Sequence, residues 1–185
     1  MDGVPEQFKE YAHIPDDNLR SILNTRYLNQ EADAPIQIIQ LRKLIGMLSL
    51  GNKNIKDLIG LEHCVGVNTI YLGYNKISDV TPLKNLKRLQ RVDLTNQKVD
   101  GEDVIATGNT AMVDNSILKD VDGKSVQPVK DRNNKYTYDS EANTVTFNNI
   151  TETGKKSYKF SKKVAVGSRG NIFVFSGEVT NNIIK

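Results

Sequence analysis

The stretch that decides the fold is residues 44–99, which read LIGMLSLGNKNIKDLIGLEHCV (44–65), GVNTIYLGYNKISDVTPLKNLK (66–87) and RLQRVDLTNQKV (88–99). Laid on itself at an offset of 22 residues, this stretch brings apolar residues into line. The aligned sets are Ile45, Val67 and Leu89; Leu48, Ile70 and Val92; Leu50, Leu72 and Leu94; and Ile55, Ile77 and Val99. A helix shows a period of about 3.6 residues and a strand a period of about two, so this longer period indicates a repeat.

The length of the repeat lies within the range of roughly 20–29 residues that leucine-rich repeats use. We predict about three coils, each with one short strand, at residues 48–50, 70–72 and 92–94. A coil of this kind buries its leucines only by stacking on the next coil. The sequence therefore predicts a solenoid whose strands lie side by side.

The residues before the repeat predict two helices. Asp16 is placed to cap the first helix, and apolar residues follow at helical spacing as far as Leu28. After a polar break, Pro35 precedes a second short helix over 36–43. We interpret the pair as a cap that keeps the first coil soluble. Asp16 and Asp17 could instead ligate a metal ion, although a helix amino terminus favours carboxylates in any case.

Beyond Val99 the 22-residue register stops, and short alternating segments separated by turn residues take over. They predict strands at 136–138, 145–147, 158–160 and 172–179. Several short strands at such spacing are typical of a β-sandwich. We expect the repeat and these strands to share one continuous core, because the last coil needs a cover for its leucines.

The chain resembles the internalin family of leucine-rich-repeat surface proteins of Gram-positive bacteria. The residues that carry the likeness are Ile77-Ser78-Asp79-Val80, Pro82-Leu83, Leu86, residues 54–58, Gly60-Leu61-Glu62 and Cys64. The chain departs from the family at the corner asparagine of each coil. Asn75 holds that position, whereas the aligned residues are Lys53 and Gln97. A corner amide bonds the turn backbone, so we expect the Asn75 side chain to be buried and bonded there.

The resemblance implies an α+β fold in three parts. These are an N-terminal helical cap (1–43), a short leucine-rich-repeat solenoid of about three coils (44–99) and a C-terminal immunoglobulin-like β-sandwich (100–185). It also implies a secreted or cell-wall-associated protein whose signal peptide lies outside this sequence.

Alternation along the predicted strands puts the neighbours of the inward leucines on an exposed, concave sheet. Tyrosine and arginine are enriched at interface hot spots, so we predict a protein-binding site there. Its residues are Met47, Ser49, Asn68, Thr69, Tyr71, Tyr74, Arg91 and Asp93. The alternative is that Tyr71 only covers the neighbouring glycines and packs on Met47. Three strands span about 15 Å, which is narrow for a standard footprint of roughly 800 Å² per partner.

The sequence gives little support for a catalytic or metal-binding site. Neither histidine, His13 or His63, stands with a nucleophile and an acid at a recognisable spacing. Cys64, the one cysteine, occupies a repeat leucine position and is predicted to be a small buried hydrophobe. Residues 120–123 predict a β-turn rather than a calcium loop, because the glycine comes too early. Residues 167–170 lie between strands without a following helix, so they do not predict a phosphate loop. We predict no enzyme activity, no cofactor and no metal.

Two classes of function remain. The first is a binding module of an exported protein, which holds a protein partner, such as a host surface protein in adhesion or invasion. The second is a spacer or display stalk. The lysines from Lys155 to Lys163 could also bind a polyanion or cell-wall polymer, although lysines on an edge strand serve equally to block strand pairing. A net charge of +3 is too small to imply nucleic acid. The sequence has no apolar run of about 18 residues that could enter a membrane, and we expect a monomer.

Overall fold

The computed structural model describes residues 10–133 and 135–185. Helices in this part of the chain are few and short. They are α1 (Asp17–Ile22), which continues into a π-helical segment (Leu23–Leu28), α2 (Ile38–Lys43) and two single 3₁₀ turns (Leu61–His63 and Thr81–Leu83). The strands are β1 (Gly46–Ser49), β2 (Val67–Tyr71), β3 (Arg91–Ile105), β4 (Ala111–Asp114), β5 (Tyr136–Asp139), β6 (Thr144–Phe147), β7 (Gly154–Val166) and β8 (Asn171–Ile184).

The two predicted helical regions are present, and local signals explain their ends. The Asp16 carboxylate caps α1 by accepting a hydrogen bond from the Leu19 N–H at 2.9 Å. Its second oxygen accepts from the N–H groups of Lys56 and Asp57, so it also ties α1 to the repeat. Asn29, in the left-handed region at φ 53°, ends the π-helical segment. Three backbone N–H groups thus hold the Asp16 carboxylate, which has a structural role.

The larger sheet has five strands in the order β1-β2-β3-β8-β7. β1, β2 and β3 run parallel, with Leu48 opposite Ile70 and Ile70 opposite Val92. This is the predicted 22-residue register, and the three predicted strands are confirmed. β8 then pairs with β3 in parallel, and β7 pairs with β8 along its whole length as an antiparallel hairpin.

The smaller sheet is antiparallel, in the order β4-β6-β5. The four strands predicted after Val99 fall within β5, β6, β7 and β8 and are confirmed as strands. Their arrangement, however, is not the one that the sequence predicted.

The predicted fold class is wrong. The protein is mostly β, with two sheets and little helix, rather than a helical cap, a leucine-rich-repeat solenoid and an immunoglobulin-like sandwich. Each α-helix has six residues, too few to form a helical layer. The long carboxyl-terminal strands do not build a sandwich of their own, because β3 continues for 15 residues through Val99 and gives β8 an edge to pair with. The division into units at 43/44 and 99/100 stays a prediction, and β3 crosses the second boundary.

One hydrophobic core runs through the described residues, from Ile14 to Ile183, so the expectation of a shared core is confirmed. It includes every member of the aligned apolar sets except Ile45, which is 76 % exposed. The cause is a register shift at the start of β1, where Gly46 rather than Ile45 lies opposite Val67. Ile45 therefore falls out of the apolar column.

The corner prediction for Asn75 is confirmed. Its side chain is buried, and its Oδ1 accepts hydrogen bonds from the N–H groups of Lys53 and Ile55. Its Nδ2 donates to the carbonyl oxygens of Leu50 and Leu72, both at 2.8 Å. One amide therefore satisfies backbone groups of two neighbouring turns.

Gln97 does the same at the next corner, which the sequence did not predict. Its Oε1 accepts from the Ile77 N–H at 3.1 Å, and its Nε2 donates to the carbonyl oxygens of Leu72 and Thr95. Both corner residues are thus carboxamides, and glutamine reaches the backbone with one more methylene than Asn75.

Candidate binding surface

The solvent-facing side of the five-stranded sheet is the candidate site, and we call it the open face. On β1–β3 it carries residues from the predicted set in two cross-strand rows. Met47, Thr69 and Arg91 form one row, and Ser49, Tyr71 and Asp93 form the other. Met47, Tyr71 and Arg91 are exposed, whereas the other three are half-buried. Six of the eight predicted residues therefore lie together.

Local contacts hold the two rows in place. The Ser49 N–H donates to the Tyr27 hydroxyl at 2.6 Å, so the helical region ties down the outer edge of β1. The Asp93 carboxylate accepts from both the N–H and the hydroxyl of Thr95. It also fills the space above Gly73, where an added Cβ would come within 2.5 Å of Asp93 Oδ2. Asp93 is thus engaged within the sheet, while the side chains of Tyr71 and Arg91 are exposed.

The two remaining predicted residues flank the rows at opposite ends of β2. Asn68 is the extra residue of the register shift between β1 and β2, and its Oδ1 accepts from the Thr69 hydroxyl. Tyr74 follows the carboxyl end of β2 and is 63 % exposed. Its backbone lies in the left-handed region, at φ 60°.

The open face continues onto two strands that the sequence prediction left out. Ile172 lies opposite Ala165, and Val174 lies opposite Lys163, all four exposed. Phe175, next to Val174, pairs with Leu94 in the core. Since side chains alternate along a strand, Val174 faces the same side as Asp93. The sequence signal was the run Ile172-Phe173-Val174-Phe175, whose apolar residues do not reveal which two face solvent.

Of the five lysines between Lys155 and Lys163, three line one cleft, Lys155, Lys156 and Lys159, whereas Lys162 and Lys163 lie outside that lining. Lys155, Lys159 and Lys163 lie on the outward side of β7, where Lys159 stands opposite Glu178. Lys162 points the other way and pairs with the buried Asp120 carboxylate at 2.9 Å. Alternation along β7 thus divides the cluster between the two faces of the strand.

The β-turn predicted at residues 120–123 is present, and the Asp120 side chain closes it. Its Oδ1 accepts from the N–H groups of Asp122 and Lys124, at 2.9 and 3.0 Å. Burial alone would raise the pKa of Asp120, but the hydrogen bonds from Lys162 and from these two N–H groups outweigh it and lower that pKa. The carboxylate is thus part of a turn and of an ion pair.

Cys64 is fully buried, as predicted. Burial, helped by the nearby Glu62 carboxylate, raises the pKa of its thiol to about 12. A thiol with so high a pKa carries almost no thiolate at neutral pH, so it is a poor nucleophile. Within residues 10–133 and 135–185, no three histidine, cysteine or acidic side chains gather in a way that could hold a metal ion. No helix in the same part of the chain is long and apolar enough to cross a membrane.

A scan against protein-family models finds no match for this chain, and a search of curated proteins finds none either. Two structures of the CBM51-2 and INT domains of Clostridium perfringens ZmpB share the fold. The first, in complex with GlcNAc, is 24 % identical with a TM-score of 0.62 and matches 95 % of this chain and 36 % of its own. The second is 21 % identical with a TM-score of 0.61 and matches 98 % of this chain and 38 % of its own. The chain thus spans little more than a third of the length of those proteins.

The chain is also similar to an internalin, inlF, from Listeria monocytogenes. That similarity is distant: 15 % identity and a TM-score of 0.42, over 51 % of this chain and 29 % of the internalin. The resemblance predicted from the sequence is therefore present only as a weak and partial structural likeness. The better matches are to β domains of the ZmpB structures, which agrees with the corrected fold class.

Proposed function

We propose that this protein is a non-enzymatic binding module of an exported bacterial protein, secreted or held at the cell surface. It binds a protein partner, such as a host surface protein, on the open face and acts as a monomer. The partner presents an apolar patch to the exposed Met47, Tyr71, Ile172 and Val174, with Arg91 among them.

The observation that carries the proposal is the backbone of Tyr74. Asn52, Tyr74 and Asn96 stand 22 residues apart, and all three lie in the left-handed region, with φ of 55°, 60° and 59°. Asparagine adopts this conformation readily, whereas other side chains lose about 1–2 kcal/mol in it. The middle position nevertheless carries an aromatic side chain that is largely exposed. A residue that is unfavourable for the fold and exposed beside the open face supports a role in binding.

The extent of the open face also supports the proposal. Five strands span about 24 Å at roughly 4.8 Å per strand, whereas the three predicted strands span about 15 Å. The additional width comes from β8 and β7, which bring two exposed aliphatic side chains, Ile172 and Val174. The face is thus less narrow for a standard footprint than the repeat alone suggested.

The other candidate functions have less support. Polyanion binding through the lysines of β7 is weakened because the cleft that Lys155, Lys156 and Lys159 line also carries Asp131 and Glu178. Lys162 lies outside this lining and is paired with Asp120. A spacer or display stalk needs no exposed aromatic residue in a strained backbone position. Neither role would explain why Tyr74 differs from Asn52 and Asn96.

The test separates binding from stability through Tyr74→Asn, which restores the residue type of the two equivalent positions. We expect this variant to be more stable by about 1 kcal/mol, because the left-handed strain is relieved. A partner is first isolated from host-cell surface extracts on immobilised protein, and its affinity is then measured by surface plasmon resonance. Tyr74→Asn and the double variant Tyr71→Ala/Arg91→Ala should each bind at least about tenfold more weakly, as for hot-spot residues.

Met112→Ala is the matched control, because Met112 is about as exposed as Tyr74 but lies on β4 of the smaller sheet. It should leave the affinity unchanged. A partner that binds wild type and both open-face variants equally would place the site elsewhere. If no partner is captured from any extract, the spacer becomes the better explanation.

A further inference from the structure

A cleft of about 600 Å³ lies where the parallel strands begin, and we call it the end cleft. The amino ends of β1, β2 and β3 border it, together with the turn between β7 and β8. Its polar lining consists of Lys87, Arg88, Arg169, Asn68, Gln90 and Ser168. The size falls within the range of roughly 300–1,000 Å³ that ligand sites occupy.

Contacts between distant parts of the chain build this cleft. The turn between β7 and β8 approaches the chain before β3 so closely that a Cβ on Gly167 would lie 2.1 Å from the Leu89 carbonyl oxygen. The Ser168 N–H donates to the Lys87 carbonyl at 2.8 Å, and Asn171 Nδ2 donates to the Gln90 carbonyl. Gly167 at φ +79° permits this docking, which holds Arg169 beside Lys87 and Arg88.

The residues that line the end cleft carry a net positive charge. It contains three cations and no carboxylate. Within the described residues, no ion pair involves Lys87, Arg88 or Arg169, and none involves Arg91 at the start of β3. All three cations are exposed, so an anionic ligand can reach them.

We propose that the end cleft binds a carboxylate-rich segment of the protein partner. A guanidinium group binds a carboxylate through two parallel hydrogen bonds, and the cleft offers two such groups beside a lysine. The end cleft is continuous with the open face, because Asn68 belongs to β2 and Gln90 directly precedes Arg91. The inference rests on the proposed function: the partner's apolar patch covers the open face, and its acidic segment occupies the end cleft.

The test measures binding of a fluorescein-labelled hexaglutamate peptide by anisotropy, with hexaglutamine as the neutral peptide. Arg88→Gln/Arg169→Gln should weaken hexaglutamate binding at least about tenfold, as expected for lost charge-assisted hydrogen bonds. Lys53→Gln/Lys124→Gln changes the net charge equally at two exposed positions outside the end cleft, and it should change the affinity less than about twofold. Hexaglutamine should not bind, and melting temperatures of both variants check that they fold.

Three outcomes would overturn the inference. They are equal losses in the two double variants, no hexaglutamate binding by the wild type, and displacement of the peptide by a sulfated oligosaccharide that binds the cleft more tightly. Tyr74→Asn should leave hexaglutamate binding unchanged, because Tyr74 lies at the other end of β2. Failure of the end cleft can therefore be distinguished from failure of the open face: the peptide reports on the first and the Tyr74 variant on the second.

Discussion

The five-stranded sheet has two ends, one formed by β1 and β2 and the other by β7 and β8, and they are built in different ways. At one end, β1 and β2 have four and five residues, and the parallel strands follow one another at a 22-residue interval. At the other end, β7 and β8 have 13 and 14 residues. They join the sheet where β8 pairs with β3, between residues 79 to 81 apart in the sequence. A short-range period thus encodes the first end, and long-range pairing encodes the second.

The polar interior shows the same difference. In the repeat, Asn75 and Gln97 satisfy turn backbones in the same way at successive corners. In the carboxyl-terminal part, the buried Tyr158 hydroxyl donates to Asn115 Oδ1, and Asn115 Nδ2 donates to the Val126 carbonyl. Burial, followed by nearby carboxylates, raises the pKa of Tyr158, so its hydroxyl stays protonated and remains a donor. The carboxamide at the corner therefore recurs with the 22-residue period, whereas the hydrogen bonds around Asn115 form a single network.

The comparison predicts that the two ends nevertheless unfold together, because they share one core. Phe175 lies at the seam, by which we mean the pairing of β3 with β8 that joins the two ends. It is opposite Leu94 and packs edge-to-face with Phe160 at a ring distance of 4.9 Å. Phe175→Ala should lower the free energy of unfolding by about 3–5 kcal/mol. We expect the urea transitions followed by far-ultraviolet circular dichroism and by tyrosine fluorescence to coincide and to shift together.

Val174→Ala is the control for the seam, because Val174 neighbours Phe175 but faces solvent. It should change stability by no more than about 0.5 kcal/mol. Two separate transitions in the Phe175 variant would show that the two ends are independent units and would revive the predicted boundary at residues 99/100.

The contrast between the 22-residue period and the long-range pairing also explains which parts of the structure the sequence predicts. The period located β1, β2 and β3 with their register, and alternation located the strands of the carboxyl-terminal half. Neither signal could reveal that β8 pairs with β3, because strand partners 79 to 81 residues apart are chosen by tertiary packing. The fold class was wrong for that reason. Ile45 was misplaced because a register shift at Gly46 leaves no trace in the apolar period.

The candidate site was predictable to the same extent. The six residues on the rows of β1–β3 followed from the period and from alternation. Ile172 and Val174 did not, because they belong to the open face only once β8 is placed beside β3. The end cleft was out of reach too, since Arg169 meets Lys87 and Arg88 only through that pairing. A site with residues from both ends of the sheet can therefore be predicted only when the long-range pairing of β3 with β8 is known.

A smaller effect tests whether the corners of the repeat are equivalent. Asn75→Ala should cost about 1–3 kcal/mol of stability, because it leaves buried backbone groups without a partner. Gln97→Ala should cost less, because it removes the partner of the Ile77 N–H alone: the Leu72 carbonyl still accepts from Asn75 and the Thr95 carbonyl from the Tyr74 N–H. Asn75 makes four hydrogen bonds to backbone groups and Gln97 three, so Asn75→Ala should have the larger effect. Lys53→Ala, at the aligned but exposed position of the first coil, is the control. Urea unfolding gives the three values, and a change of only a few tenths of a kcal/mol for Asn75→Ala would show a solvated corner.

The smallest expected effect concerns two carboxylates, Asp120 in the carboxyl-terminal part and Asp100 beside the repeat. The pKa of Asp100 is lowered by hydrogen bonds from Lys76 and then Lys56, but the Asp100 side chain is 59 % exposed. Asp120 is buried, and its pKa is lowered despite that burial. An exposed ion pair contributes about 0.2–1 kcal/mol at most and is screened by salt. The pair between Asp120 and Lys162 is screened less, because the Asp120 carboxylate is buried even though the Lys162 side chain is 38 % exposed.

We therefore expect Asp120→Asn to lower stability at pH 7 by about 1 kcal/mol, most of which remains in high salt. A carboxylate whose folded pKa is depressed contributes stability that is present above its unfolded pKa, about 3.9, and is lost as the pH falls through the folded pKa. The wild type and Asp120→Asn should accordingly converge in urea unfolding experiments as the pH is lowered below about 4. Asp100→Asn should show a smaller difference that salt removes. If the Asp120 difference also vanished in salt, the turn at residues 120–124 would be open to solvent, and the two carboxylates would be held in the same way.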